Sequence, residues 1–298
     1  MTLVIGKIKE NSIRFVSDSK ITDEFEVRNN PLLGNLKTFI LNPKTCLSFS
    51  GNTYFAEKFL DEFYSNKIQN FQHLLIRCLQ LNNESNDETF FCLGTLFNNK
   101  PELYKIYNRK IENNIKNVWI GDKIGFTKYQ EIYLTNNKSD SEFSKMEEAF
   151  SAVISDEKIP SVSDFQISVE TDFCEEANSS FFIYSFKTIM NVAPHSFTTK
   201  LENGKEVIIP MMHGDADVGS FGMSYLRSIE YFKPAIGIHF PQGKFGVLFC
   251  PMLNRNKAIV LKNQVDGEDF VNEVKKTYNI SLQGLVAKDG NSFKNVVG

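Results

Sequence analysis

Paired cysteines are missing from this chain. Its five cysteines (Cys46, Cys78, Cys92, Cys174 and Cys250) are odd in number, widely spaced and never arranged as CxxC. That excludes a disulfide framework and a cysteine-ligated zinc site, and it fits reduced thiols in a cytosolic protein. No stretch approaches eighteen apolar residues, so no membrane span is expected. The opening MTLVIGKIKENS has no basic segment ahead of a long apolar one and does not read as a signal peptide. Excess charge is missing too: 33 Lys and Arg face 36 Asp and Glu, a net charge of −3. With no basic patch interleaved with aromatics, nucleic acid is a poor partner.

Cofactor motifs are equally scarce. Gly219, Gly222, Gly237, Gly243 and Gly246 form no GxGxxG after a strand, so nucleotide binding is unsupported. The four histidines (His73, His195, His213, His239) are scattered. The nearest approach to a metal cluster is His213-Gly-Asp215-Ala-Asp217. One histidine and two aspartates without a second motif read as a polar loop, so neither metal nor cofactor is expected. Repeats, low-complexity runs and clear linkers are absent. The expectation is a soluble, cytoplasmic protein with one domain over 1–298, whose part from about 171 to 298 is a divergent second half and extension.

What is present is material for a core. Residues of hydrophobic type make up 42% of the 298, and phenylalanine occurs 27 times against the single Trp119. Leu3–Ile8 and Ile13–Asp18 read as a hairpin that begins at the first residues. That is unusual, because chain starts fray unless the sheet holds them. Residues 21–35 read as a loop, and 37–41 and 45–50 as strands. Phe55, Phe59 and Phe63 recur every four residues and mark a helix, and Ile68, Phe71, Leu75 and Cys78 mark a second. Strands are expected at 89–97 and 102–107, a polar stretch at 108–117, and a strand at Val118–Ile120. A polar loop over 135–145 then leads to a third helix around Met146–Ile154 and a strand at Phe165–Val169. Further on, 181–189 and 206–209 read as strands, 224–232 as a helix, 235–240 and 244–249 as a hairpin, and 265–278 as an amphipathic helix. The tail past Ala287 reads as loose.

The chemistry concentrates at the start. A threonine hydroxyl is a weak nucleophile, and one way to activate it is to place it on the first residue, where that residue's own α-amine can take the proton. The reference pKa of an α-amine is roughly 7.7–8, so a useful fraction is free base near neutrality. Thr2 becomes that residue if Met1 is removed. Such a site also needs a carboxylate, a cation and a backbone N–H for the developing oxyanion. Asp18 ends the second strand, Lys37 opens the third, and Gly51 sits where a strand turns into a helix. Each has an ordinary reading as well: Ser-Asp-Ser at a strand end is a common Asx turn, and a glycine at a helix entry is needed structurally.

Taken in order, Thr2-Leu-Val-Ile-Gly, Val16-Ser-Asp18-Ser-Lys20, Lys37-Thr-Phe-Ile-Leu and Ser48-Phe-Ser-Gly51 resemble the start of proteasome-type β subunits and bacterial proteasome-like peptidases. These belong to the N-terminal nucleophile hydrolase superfamily. The resemblance covers residues 2 to about 170 and is specific in the first fifty. It implies an α+β fold, a four-layer αββα sandwich, followed here by the C-terminal extension. It also implies a threonine protease of peptides or other amides, with Thr2, Asp18, Lys37 and Gly51 in the site, assembled as a homo-oligomer such as a ring. A partner ATPase is not specified. Two departures stand out. Trp119-Ile-Gly-Asp122 falls where the family has Ile-Gly-Ser. The later Asp-x-x-Ser pair is ambiguous: Asp156 and Ser161 have the right place with wider spacing, whereas Asp217-Val-Gly-Ser220 has the spacing but comes late. Asp156 and Ser161 are preferred. The alternative reading is a catalytically silent scaffold or partner-binding protein on the same fold.

Overall fold

The computed structural model describes residues 2–19, 35–136, 139, 141–156, 158–162, 165–185, 195–200, 206–211, 224–241, 243–289 and 292–298. In chain order the first half runs β1 (Leu3–Lys9), β2 (Ser12–Ser17), β3 (Thr38–Asn42), β4 (Thr45–Ser50), α1 (Thr53–Tyr64), α2 (Phe71–Glu84), β5 (Phe90–Phe97), β6 (Lys100–Tyr107), β7 (Lys110–Ile115), β8 (Asn117–Gly121), α3 (Lys123–Thr135), α4 (Glu142–Ile154), β9 (Ile167–Cys174) and β10 (Ser179–Tyr184). The second half runs β11 (His195–Lys200), β12 (Glu206–Met211), β13 (Ser224–Ser228), β14 (Ile236–Phe240), β15 (Phe245–Phe249), α5 (Pro251–Asn254), β16 (Ile259–Lys262), α6 (Gly267–Tyr278), β17 (Leu282–Asp289) and β18 (Ser292–Val297).

The start of β1 is apolar at successive positions because both of its faces are covered. Val4 points into the central cluster with Ile13, Phe15, Phe39, Phe49 and Phe91. Leu3 and Ile5 point the other way, onto Tyr129 of α3 and Met146, Phe150 and Val153 of α4. The first sheet has the order β10-β9-β2-β1-β8, and the second β3-β4-β5-β6-β7. Side chains from both sheets make the central cluster. α1 packs on the second sheet through Phe59, whose ring meets Phe91. The recurrence of Phe55, Phe59 and Phe63 has its cause here: Phe59 is fully buried, and Phe55 and Phe63 flank it.

A third, six-stranded sheet, β16-β15-β14-β13-β17-β18, is built wholly from the second half. Ile236, Ile238, Phe240, Phe245, Val247 and Phe249 on one of its faces join the central cluster. Phe270, Val271 and Val274 of α6 cover its other face with Leu226, Leu248 and Leu282. The halves are also tied by backbone. Leu36 N–H donates to Asn256 O at 2.9 Å, and Asn35 bridges Lys257. The Arg227 guanidinium donates to Tyr184 O at 2.9 Å. β11 and β12 form a separate hairpin.

Several sequence expectations need correction. Residues 224–228 are strand β13, not helix, because β14 and β17 pair with them on either side. The tail is ordered into β17 and β18 by mutual pairing. The polar 110–115 segment is β7, an edge strand whose side chains face solvent and need no apolar pattern. α3 was not foreseen, whereas the expected third helix is α4. The loop expected at 21–35 lies outside the described residues except for Asn35, as do His213, Asp215, Asp217 and Ser220. Among the described residues, no helix is long and apolar enough to cross a membrane.

One buried group is expected to make the third sheet sensitive to pH. His239 on β14 is fully buried and rests against the Phe270 ring. Its Nε2 lies 3.0 Å from Gln264 O, and its Nδ1 has no partner. Burial lowers its pKa from the ordinary 6.5 and outweighs the opposing pull of the Gln264 carbonyl and of Asp266 and Asp269 at the start of α6. The unfolded chain therefore binds this proton more readily than the folded one, so stability is expected to fall as pH drops below about 6.5. The melting temperature of the wild type should fall more between about pH 7.5 and about pH 5.5 than that of His239→Gln. Equal slopes would remove His239 as the cause.

Candidate active site

The candidate nucleophile is held by main chain on two sides. Thr2 precedes β1 and is only 3% exposed. Its carbonyl accepts the Asp122 N–H at 2.7 Å, an extension of the β1–β8 pairing that sets Leu3 against Gly121. Gly121 has φ +106°, and a Cβ built on it lies 1.7 Å from Thr2 O. Only glycine lets the two strands close here, since no real side chain tolerates that contact.

Asp18 is fully buried and follows β2. The hairpin register sets Val4 against Ser17, which puts Asp18 beside Leu3. The Asp18 Oδ1 accepts the Leu3 N–H at 2.9 Å, and the Asp18 N–H reaches Leu3 O at 3.4 Å. The carboxylate is thus bonded to the peptide unit that directly follows the candidate nucleophile. The chain leaves this point at Ser19 and returns at Asn35, whose N–H donates to Ser19 O at 2.9 Å. Ser19 Oγ accepts the Phe165 N–H at 3.0 Å.

Lys37 is 2% exposed and directly precedes β3. Its carbonyl accepts the Phe49 N–H at 3.0 Å, and its Nζ lies 5.4 Å from the centre of the Phe49 ring. The next residue, Thr38, donates its hydroxyl to Ser17 Oγ at 3.1 Å, directly before Asp18. That bond fixes the start of β3 against the end of β2. Gly51 has φ +99°, and a Cβ there lies 1.9 Å from Glu88 O. Its identity therefore has a steric cause, independent of any role for its N–H.

Asp156 and Ser161 part company. The Asp156 carboxylate accepts the Lys158 N–H at 3.0 Å, its carbonyl accepts the Ile159 N–H, and its own N–H returns to Val153 O. These bonds belong to the turn after α4. Ser161 instead donates to Asp122 Oδ2 at 2.8 Å. The other Asp122 oxygen accepts the Gly125 N–H at 2.6 Å and caps α3. The buried Asp122 side chain thus ties together the start of α3 and the segment after α4, while its own N–H holds Thr2.

Gly121 did not emerge from the sequence as a site residue. A turn signal was visible at Ile120-Gly-Asp122, but only the pairing of β1 with β8 shows what the glycine touches. Ser161→Ala takes a hydrogen bond from a buried carboxylate and is expected to cost about 1.5–3 kcal/mol, read from the urea midpoint. An unchanged midpoint would mean the bond is not held in solution.

Among the described residues, no group of three His, Cys, Asp or Glu side chains is placed to hold a metal ion. The free cysteines Cys46, Cys78, Cys92 and Cys250 are buried, and burial raises the pKa of each, which keeps them as inert thiols.

No protein-family model matches the chain, and no curated protein matches it. Among solved structures, the eukaryotic HslV of Trypanosoma brucei is similar with a TM-score of 0.40 and 15% identity. The match covers 54% of this chain and 94% of that one. A likeness this distant says nothing about chemistry.

Proposed function

We propose that the protein is a threonine-dependent amide hydrolase, acting on peptides or related amides, with Thr2 as its nucleophile once Met1 is removed. The observation that carries the reading is the seating of Thr2. It is buried at the head of β1, its carbonyl is fixed by the Asp122 N–H, and the Asp18 carboxylate is bonded to the adjoining peptide. In this reading the Thr2 amine takes the proton from Oγ, and Oγ attacks the carbonyl carbon. Asp18 and Lys37 set the charge around the amine, and the Gly51 N–H meets the oxyanion. Ser161 acts through Asp122, and Asp156 only through the turn that leads to Ser161.

The two inner sheets with α1 and α2 on one side and α3 and α4 on the other support an αββα sandwich of the N-terminal nucleophile type. A cytoplasmic homo-oligomer such as a ring follows from the resemblance of the opening residues to proteasome-type subunits. A second reading, a scaffold without turnover, is favoured by one observation: a carboxylate at Asp122 where that family has a serine hydroxyl.

Intact mass and covalent labelling decide between them. Protein whose mass shows Thr2 as first residue should form an adduct with an epoxyketone or a β-lactone, and peptide mapping should place it on Thr2. Retention of Met1 in protein from its native host, or no adduct on exposed Thr2, sinks the enzymatic reading.

A further inference from the structure

Beside the candidate nucleophile lies a hydroxyl with nothing to do. Ser50, the last residue of β4, is fully buried, and its Oγ has no hydrogen-bond partner. Its direction follows from the pleat. Ser48, two residues earlier on the same face, bonds Thr38 Oγ1 at 3.0 Å, and Thr38 in turn bonds Ser17 of the first sheet. Ser48 and Ser50 therefore both face the gap between the sheets. Thr2 shares its face of β1 with Val4, which lies in that same gap. The two residues meet at Gly121. A Cβ built there lies 3.3 Å from Ser50 Cβ and 1.7 Å from Thr2 O. An orphaned buried hydroxyl is destabilising, so one kept against the main chain of a candidate nucleophile needs a cause.

We propose that Ser50 Oγ is the acceptor that positions the α-amine of Thr2. This rests on the Thr2 reading above. Removal of Met1 turns the Thr2 nitrogen from an amide with one N–H into an amine with two or three, and so creates a donor with no partner in the uncleaved chain. Ser50 Oγ offers a lone pair to it. The bond orients the amine's own lone pair toward Thr2 Oγ, where it must receive the hydroxyl proton. An acceptor for the ammonium form also raises the amine pKa. Ser50 is a positioning residue in this account: it touches neither the substrate nor the attacking oxygen.

The test uses full-length protein with Thr2 exposed, verified by mass, labelled with a β-lactone across pH, in wild type and Ser50→Ala. Ser50→Ala is expected to label Thr2 about ten-fold more slowly. Its rate–pH profile should move to lower pH by about half a unit, because the ammonium form has lost its acceptor. In protein that keeps Met1, where Ser50 Oγ has no partner, Ser50→Ala should melt at or above the wild type.

Three results overturn the proposal while leaving the Thr2 reading intact. They are an unchanged rate and profile, a slower rate with an unshifted profile, and a melting temperature lowered by Ser50→Ala even in protein that keeps Met1. Failure of the wild type itself to label at exposed Thr2 is a different outcome: it removes the Thr2 reading and the role of Ser50 with it.

Discussion

Thr2→Ala should abolish β-lactone labelling and leave the melting temperature close to that of the wild type. The two readouts separate because chemistry and seating use different atoms. The seating of Thr2 is main-chain: the Asp122 N–H bonds its carbonyl at 2.7 Å, and Leu3 continues the ladder to Asp18. Alanine keeps all of these bonds. The substitution removes Oγ and a methyl, and with Oγ goes the group that forms the ester bond to the electrophile. The residual rate should fall on the order of a thousand-fold or more, as when a nucleophile is deleted from a catalytic unit. Thr2→Ser should retain labelling, since the hydroxyl and the amine both remain. If Thr2→Ala labels as fast as the wild type, the adduct is on another residue and the hydrolase reading falls. If Thr2→Ala loses labelling only because it unfolds, Thr2→Ser still labels and the melting temperature shows the difference.

Gly121→Ala is expected to be the most damaging single methyl in the site. A Cβ at this position lies 1.7 Å from Thr2 O and 2.7 Å from Thr2 C, and both atoms are backbone. No rotamer change relieves such a contact. The strands must separate, and the 2.7 Å bond from Asp122 to Thr2 lengthens or breaks with them. The conformation adds to the cost, because φ +106° suits glycine and strains alanine. Together these should exceed about 3 kcal/mol. In a chain of 298 residues that is a melting temperature lower by roughly 5 °C or more. Labelling of Thr2 should fall even at temperatures where the variant is folded, because the start of β1 is no longer held against β8. A variant with wild-type stability would show that β1 and β8 do not close at Gly121 in solution. One that is destabilised but labels normally would show that this closure does not position Thr2.

The two predictions divide the site along the line between local and distant information. The neighbourhood of Thr2 and Asp18 was legible because a tight hairpin fixes its own register. Once Ile8 faces Ile13, Val4 faces Ser17, and Asp18 arrives beside Leu3. The candidate pair of Asp156 and Ser161 was not resolvable in the same way. Their spacing is compatible with a shared role, but the turn after α4 engages the Asp156 carboxylate and sends only the Ser161 hydroxyl to Asp122. Asp122 looked like a departure from the proteasome-type pattern. It caps α3 and accepts Ser161 at once, a double duty that one residue letter does not reveal.

By itself, the sequence determined the elements whose side chains alternate or recur on one buried face: the opening hairpin, the phenylalanine-striped α1, the β14–β15 hairpin and the amphipathic α6. It also determined the order in which Thr2, Asp18, Lys37 and Gly51 occur. Only the tertiary structure decided the rest. The Ser224–Ser228 segment, with Tyr225 and Leu226 at its centre, suits a helix as well as a strand until β14 and β17 claim both of its edges. β7 and β18 carry too many polar residues to announce themselves, and their partners β6 and β17 supply the pairing. α3 exposes Ile124 and Leu134, which blurs its apolar period. The third sheet, unforeseen in the second half, buries one face in the core of the first. The physical reason is common to all of these. A local pattern records which face of a segment is buried, whereas backbone pairing and close approach, as of Gly121 to Thr2, depend on residues far away in the chain.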